Sequence, residues 1–320
     1  MMEELVREVL EGNKRAIARA ITLIENNPQK CPEFIKLIFP FTGNAFIIGV
    51  TGPPGSGKST LVNGLSKEFR KRGKTIGIVA VDPTSPFSGG ALLGDRIRMD
   101  DLTFDPNIFI RSMGSRGSLG GLSRATMDAI RVLDASGFDL VLVETVGAGQ
   151  SEVDIVRVAN CSIVIGIPGT GDAVQAIKAG ILEIADIYVV NKSDRPGATE
   201  IVNELKLLLS LDPKSKDPNR WKIPVISTSS VENVGIETLA DMIFNYQRFL
   251  LDPKNRNYTL EQEMKRRKHE ILEIIKVEIF ENMLSNLMNR QKWEKILLEV
   301  IEKKSDPYSA ANSILDPLLR

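Results

Sequence analysis

The segment that most restricts the fold is GVTGPPGSGKSTLVNGL, which starts at Gly49. It follows an apolar run, leads into residues with helical spacing, and contains the pattern G-x-x-x-x-G-K-S at positions 52–59. Glycines at this spacing let successive backbone N–H groups face one anion, and the helix that follows adds its positive end. The segment therefore predicts a phosphate-binding loop between a strand and a helix. The predicted nucleotide-binding residues here are Gly52, Pro53, Pro54, Gly55, Ser56, Gly57, Lys58, Ser59 and Thr60.

Two side chains of this loop have a predicted chemical role. In loops of this pattern the lysine reaches the β- and γ-phosphates, and the hydroxyl after it ligates magnesium. We therefore predict that Lys58 is catalytic, that Ser59 is a metal ligand and that Mg²⁺ is the cofactor.

The next informative segment is IYVVNKSD, in which Asn191, Lys192 and Asp194 match N-K-x-D at the end of an apolar run. A carboxylate at Asp194 can accept the two N–H donors of guanine, and adenine has no such pair. The stem of Lys192 can lie along the base plane. Further along, IPVISTSS ends in Ser227, Thr228, Ser229 and Ser230, where a backbone N–H can meet guanine O6 or where these residues cap the following helix. The sequence thus predicts GTP and GDP rather than ATP.

Three acids are candidate ligands or catalytic groups near the phosphates. Glu144 closes the run LVLVE and is followed by Gly147, which would contact the γ-phosphate. Asp82 ends another apolar strand, and parallel strands of an open α/β sheet end beside the ligand. Asp95 follows a glycine-rich segment and is either a metal ligand or a helix cap. We predict Asp82, Asp95 and Glu144 as metal ligands, with Asp82 and Glu144 also catalytic.

Short apolar runs alternate with helical stretches between about residues 45 and 250. This alternation predicts an α/β fold, a P-loop NTPase whose mostly parallel sheet is covered on both faces. No antiparallel hairpin separates the P-loop helix from the next strand, which favours the all-parallel, SIMIBI-like branch. Residues 1–44 form a predicted N-terminal helical extension, 45–250 a P-loop GTPase domain, and 251–320 a C-terminal helical segment. That last segment is either packed on its own domain or a dimerisation arm, and its length favours the arm.

Composition excludes several other classes of function. Lysine plus arginine equals aspartate plus glutamate at 41 each, so no overall charge attracts nucleic acid or an anionic membrane. With two cysteines and one histidine, a zinc, nickel or iron site is not expected. The first residues lack the features of a signal or transit peptide, which predicts a cytoplasmic protein.

Six stretches together resemble the MeaB/ArgK/MMAA family of GTPases, which are chaperones of adenosylcobalamin-dependent methylmalonyl-CoA mutase. They are GPPGSGKST, VDPTSPFSGGALLGDRIRM, RSMGSRGSLGGLSRAT, ETVGAGQSE, PGTGDAVQAIKAGILEIAD and NKSD, and the resemblance covers nearly the whole chain. It implies that Asp82, Asp95 and Glu144 gather round magnesium and the γ-phosphate. It also implies that residues 169–180, with Asp172, Gln175 and Lys178, form a switch that responds to the mutase, and Lys178 is a candidate catalytic group.

The resemblance further implies a homodimer made by the C-terminal helices, and cofactor loading and protection of the mutase as the function. Neither Arg116 nor Gln150 receives a role from it. The alternative function is an ATPase or kinase associated with a lysine/arginine/ornithine transport system. N-K-x-D selects guanine, which argues against that alternative.

Overall fold

The structure, a computed structural model, describes residues 2–82, 100–114, 124–145, 155–168, 184–212, 217, 220–287 and 290–315. The chain divides into two compact units, Met1–Gln262 and Glu263–Arg320. Within the described ranges, no helix has both the length and the apolar character needed to cross a membrane.

The first unit is built on one sheet in which seven described strands all run parallel. The strands are β1 Phe46–Thr51, β2 Ile76–Asp82, β3 Ile108–Gly114, β4 Leu140–Thr145, β5 Cys161–Gly166, β6 Ile187–Val190 and β7 Val225–Ser227. Their spatial order is β3-β2-β4-β1-β5-β6-β7. Every neighbouring pair is parallel, so the predicted α/β fold with a mostly parallel sheet is confirmed.

Helices connect the strands and flank the sheet. In the described part of the first unit they are α1 Met2–Leu10, α2 Lys14–Asn26, α3 Cys31–Ile38, α4 Lys58–Lys71, α5 Asp100–Thr103, α6 Arg124–Ala135, α7 Ala198–Leu211 and α8 Ile236–Leu251. Helix α9, Arg256–Leu287, begins in the first unit, and α10 Arg290–Ile301 and α11 Pro307–Leu315 lie in the second. Local chemistry fixes several starts: the Asn13 side chain, for example, accepts from Arg15 N and Ala16 N and so caps α2.

The two faces of the sheet bury different helices. On one face, Ile17 of α2 and Phe34 of α3 join a cluster with Val79, Val141 and Val143 of the strands, and α6 contributes to the same cluster. On the other face, α4 and α8 pack against apolar residues of β1, β2, β4, β5 and β6. Helices α1, α2 and α3, which lie in the predicted N-terminal extension, therefore pack on the sheet within the first unit.

The strand order places one crevice at the ends of the central strands. The chain leaves β1 towards β2 and β4 on one side, and β5, β6 and β7 lie on the other. In open parallel sheets the ligand binds outside the carboxyl ends of the strands at this reversal. Residues at the carboxyl ends of the strands around this reversal are therefore placed to meet a ligand.

The second unit exposes apolar side chains along α9. Ile271, Ile275 and Ile279 lie four residues apart and are 57%, 46% and 55% exposed. A repeat of four residues places them on one side of a helix. This stripe is considered below with the proposed assembly.

Candidate functional site

The loop after β1 has the backbone geometry of an anion cradle. Gly55 and Gly57 have φ of 72° and 88°, in the left-handed region. A Cβ on Gly57 would lie 2.5 Å from Asn191 Nδ2, so no larger residue fits without displacing that amide. Helix α4 begins directly after Gly57, and no side chain caps it. The first-turn N–H groups and the positive end of α4 therefore suit a phosphate.

Lys58 is held inside this loop by the loop's own carbonyl groups. Its Nζ donates to Gly52 O at 2.7 Å and to Pro53 O at 3.0 Å, and the residue is only 6% exposed. These bonds hold the ammonium close to the position where the cradle would receive phosphate oxygens. The lysine thus brings a localised positive charge to the cradle.

Ser59 and Glu144 meet at the start of α4 and the end of β4. Ser59 Oγ donates to Glu144 Oε1 at 2.6 Å, and the two residues are 7% and 2% exposed. The register of the sheet sets this contact, because Val50 of β1, just before the loop, pairs with Glu144 of β4. A hydroxyl and a carboxylate side by side form an oxygen donor set, which is the kind that Mg²⁺ prefers.

Asn191, directly after β6, links two loops through hydrogen bonds of its side-chain amide. Its Nδ2 donates to Ser56 O at 2.8 Å. Its Oδ1 accepts from Thr228 Oγ1 at 3.1 Å, Ser230 Oγ at 2.8 Å and Ser230 N at 3.2 Å. The amide therefore joins the phosphate loop to the loop after β7.

Lys192 and Asp194 complete the side of the site formed after β6. Lys192 has φ of 57°, which is uncommon outside glycine, and its Nζ donates to Gly55 O at 2.7 Å. Asp194 Oδ1 accepts from Ser229 Oγ at 2.9 Å. This bond orients the carboxylate and leaves its Oδ2 able to accept from a ligand.

These parts line one cleft of about 570 Å³. Twelve residues predicted from the sequence line it: Pro54, Gly55, Gly57, Lys58, Ser59, Thr60, Glu144, Asn191, Lys192, Asp194, Ser229 and Ser230. Arg195, Val231 and Glu232 also line it and were not among the predicted site residues. Arg195 follows the N-K-x-D motif directly, and Val231 and Glu232 follow the serine run after β7, so adjacency was the available signal.

The remaining predicted residues lie in other positions. Gly52, Pro53 and Ser56 belong to the loop but do not line the cleft, and Ser56 is fully buried. Thr228 is also fully buried and acts on the site through Asn191. Ser227 is the exposed last residue of β7.

Some predicted residues fall outside the described part of the chain. These are Asp95, Gly147 and Lys178, together with Asp172 and Gln175 of the predicted switch. Arg116 and Gln150, to which no role was assigned, also lie outside the described residues. Asp82 is the last residue of β2, and its backbone pairs with Gly114. The structure describes the backbone of Asp82 but not its side chain.

Comparison with known proteins identifies the family of this fold and cleft. Residues 17–290 match the family model described as methylmalonyl Co-A mutase-associated GTPase MeaB. A Pyrococcus abyssi protein assigned to the GTPases is 48% identical over 319 residues, covering 100% of this chain and 97% of its own. The Escherichia coli GTPase ArgK is 35% identical over 254 residues, covering 78% and 77%.

One solved structure supports the architecture over the full length. The crystal structure of a LAO/AO transport system kinase superposes with a TM-score of 0.71 at 24% identity, covering 100% of this chain and 98% of that one. At this identity the likeness concerns the fold. The match to the family model and the sequence identity to GTPases show the activity and the family: the chain is a GTPase and belongs to the MeaB family.

Proposed function

We propose that this GTPase hydrolyses GTP in the cleft between β1, β4, β6 and β7, and that it serves as a chaperone of an adenosylcobalamin-dependent methylmalonyl-CoA mutase. The observation that carries the first part is that the phosphate loop and the N-K-x-D loop line one cleft and are bonded to each other through Asn191 and Lys192. The family match supports the second part.

The guanine base fits at the end of the cleft lined by Lys192, Asp194 and Val231. Asp194 accepts the base N–H donors, while its other oxygen stays bonded to Ser229. The Lys192 stem and the exposed Val231 side chain offer apolar surface to the base. Adenine would leave the Asp194 carboxylate without its donors, which is the source of discrimination.

The phosphates fit the opposite end of the cleft. Backbone N–H groups at the start of α4 bind them, and the Lys58 ammonium turns from loop carbonyls to phosphate oxygens, where negative charge develops during hydrolysis. Ser59 and Glu144 would hold Mg²⁺, Ser59 directly and Glu144 either directly or through water, with Asp82 and Asp95 as further candidate ligands. Bound magnesium would supply positive charge that neutralises the phosphate oxygens.

The base assignment is tested by Asp194→Asn. An amide supplies a donor where the carboxylate only accepted, so preference should move from guanine towards xanthine nucleotides. Competition of GDP, XDP and ATP for the wild type and the variant measures this. Lys58→Ala is the matched control, because it should remove most hydrolysis while leaving base preference unchanged. Equal competition by ATP and GDP in the wild type would contradict the guanine assignment.

The chaperone role is tested by GTP turnover with and without a methylmalonyl-CoA mutase. Unassisted turnover should be slow, about 10⁻⁴ to 10⁻² per second as in other unassisted GTPases, and the mutase should raise it. Lys178→Ala tests the proposed switch at residues 169–180. Equal stimulation of the wild type and Lys178→Ala would remove Lys178 from the mechanism, whereas no stimulation of the wild type would reject the chaperone role.

The proposed assembly is a homodimer through the C-terminal helices. The exposed stripe of Ile271, Ile275 and Ile279 supports it, because a helix in water gains by covering such a face. Sedimentation of the wild type against Ile275→Glu tests it. A dimer in both proteins would exclude this stripe as the interface.

A further inference from the structure

The base end of the cleft carries two charged side chains to which the proposed function assigns no role. Arg195 lies in the loop after β6, and Glu232 lies in the turn after β7. Both line the cleft and both are exposed. In the described part of the chain, the structure shows no ion pair or hydrogen bond of either side chain.

The two loops that carry these residues are fixed to each other by hydrogen bonds. Ser193 N donates to Thr228 O at 3.0 Å, and Ser229 Oγ donates to Asp194 Oδ1 at 2.9 Å. The Asn191 amide adds its bonds to Thr228 and Ser230. The distance between the two loops is therefore set by the backbone and by buried side chains.

Each loop is also closed on itself. Arg195 N donates to Lys192 O at 3.0 Å, which closes a tight turn that contains Asp194. Ser229 and Val234 exchange two backbone hydrogen bonds of 3.1 Å, so Val231 and Glu232 lie at the tip of a closed turn. With both backbone turns closed, the side chains of Arg195 and Glu232 can still rotate about their own bonds at the base end of the cleft.

We propose that Arg195 and Glu232 form an ion pair across the base end of the cleft when nucleotide is bound, and that this pair slows nucleotide release. Opposite charges on two fixed loops attract each other, and both stems are long enough to move without displacing backbone. An exposed pair is worth about 0.2–1 kcal/mol, which corresponds to roughly a 1.4- to 5-fold change in release rate. The pair acts as a latch and takes no part in the chemistry.

The proposal rests on the cleft being the guanine nucleotide site, and its test separates the two. We would measure the release of tritiated GDP, because this label adds no chemical group that could contact the base end of the cleft. The proteins compared are the wild type, Arg195→Glu, Glu232→Arg and the double charge swap. Each single variant should release GDP about two- to five-fold faster, and the double swap should return close to the wild-type rate. Glu200→Arg, on the exposed surface of α7 and away from the cleft, controls for the change in net charge made by Glu232→Arg.

Salt gives a second readout. Raising the salt from about 50 mM to about 500 mM should speed release from the wild type and the double swap, because screening weakens an attraction between exposed charges. It should not speed release from the single variants, in which the two charges have the same sign and screening weakens a repulsion. Faster release from Arg195→Glu with no change in Glu232→Arg would show direct contact of Arg195 with nucleotide and overturn the latch. Additive effects in the double variant would also overturn it. Unchanged GDP binding by Asp194→Asn would instead reject the site.

Discussion

At the residue scale, the site depends on polar side chains that are buried and partnered within the fold. Asn191 is 2% exposed, and it joins the phosphate loop to the loop after β7 rather than lining the base end alone. Buried networks of this kind are rigid when every member has a partner. Ser56 departs from this rule, because its fully buried hydroxyl has no hydrogen-bond partner among the residues that the structure describes.

Ser56→Ala is therefore expected to stabilise the protein. Removing an unsatisfied buried hydroxyl should raise the free energy of unfolding by about 1 kcal/mol, as measured by urea denaturation. Ser66→Ala is the matched control, since Ser66 is equally buried but donates to Val62 O at 2.7 Å. That variant should lose about 0.5 kcal/mol. A loss of stability in Ser56→Ala would show that its hydroxyl has a partner.

At the element scale, the turn between β7 and α8 positions Ser229 and Val231 on the cleft. It ends at Gly235, which has φ of 74° and immediately precedes α8. A Cβ there would lie 2.2 Å from Ser227 O, a backbone atom that cannot rotate away. Both the conformation and the close approach therefore require glycine.

Gly235→Ala should lower the free energy of unfolding by at least about 3 kcal/mol and weaken GDP binding, because the turn must shift. Gly137→Ala provides the control: Gly137 has φ of 84°, but nothing lies within 4 Å of its added Cβ. It should lose only about 1–2 kcal/mol, the cost of the left-handed conformation, and bind GDP normally. Thermal unfolding and GDP titration of both variants measure the difference. Equal effects would mean that the contact with Ser227 is not limiting.

At the scale of the whole molecule, the N-terminal helices are part of the core of the first unit. Phe34 of α3 is fully buried and belongs to the same cluster as Val79, Val141 and Val143 of the sheet. Helices α1, α2 and α3 thus cover one face of the sheet together with α6, as α4 and α8 cover the other. Cys31 of the same helix is also buried, and this desolvation, with Asp128 beside it, raises the pKa of its thiol to about 12.

Phe34→Ala should consequently lower the free energy of unfolding of the first unit by about 3–5 kcal/mol, the usual loss for a large buried aromatic. Leu37→Ala on the same helix, at a residue 38% exposed, should lose less than about 1 kcal/mol. Denaturant unfolding monitored by circular dichroism compares the two. Similar small losses would show that α3 is an independent extension and not a layer of the core.

Much of the fold and part of the site could be predicted from the sequence. The parallel sheet followed from apolar runs alternating with helical stretches, because burial on both faces leaves that pattern in any strand. The phosphate loop followed from glycines and Lys58 at fixed spacing, since adjacent residues alone build that cradle. The chemistry of one carboxylate against one base put Asp194 among the predicted residues, and Asp194 lines the cleft.

The tertiary structure decided what depends on residues far apart in the chain. Only the fold shows that Thr228 lies buried behind Asn191 while Ser229 contacts Asp194, because neighbouring serines and threonines look alike until strand β7 is placed beside β6. Only the fold brings Arg195 and Glu232 to one cleft. The spacing of neighbouring residues determines the structure of a loop or a helix, because their hydrogen bonds are short-range. Packing and strand register determine which side chains from distant parts of the chain come into contact.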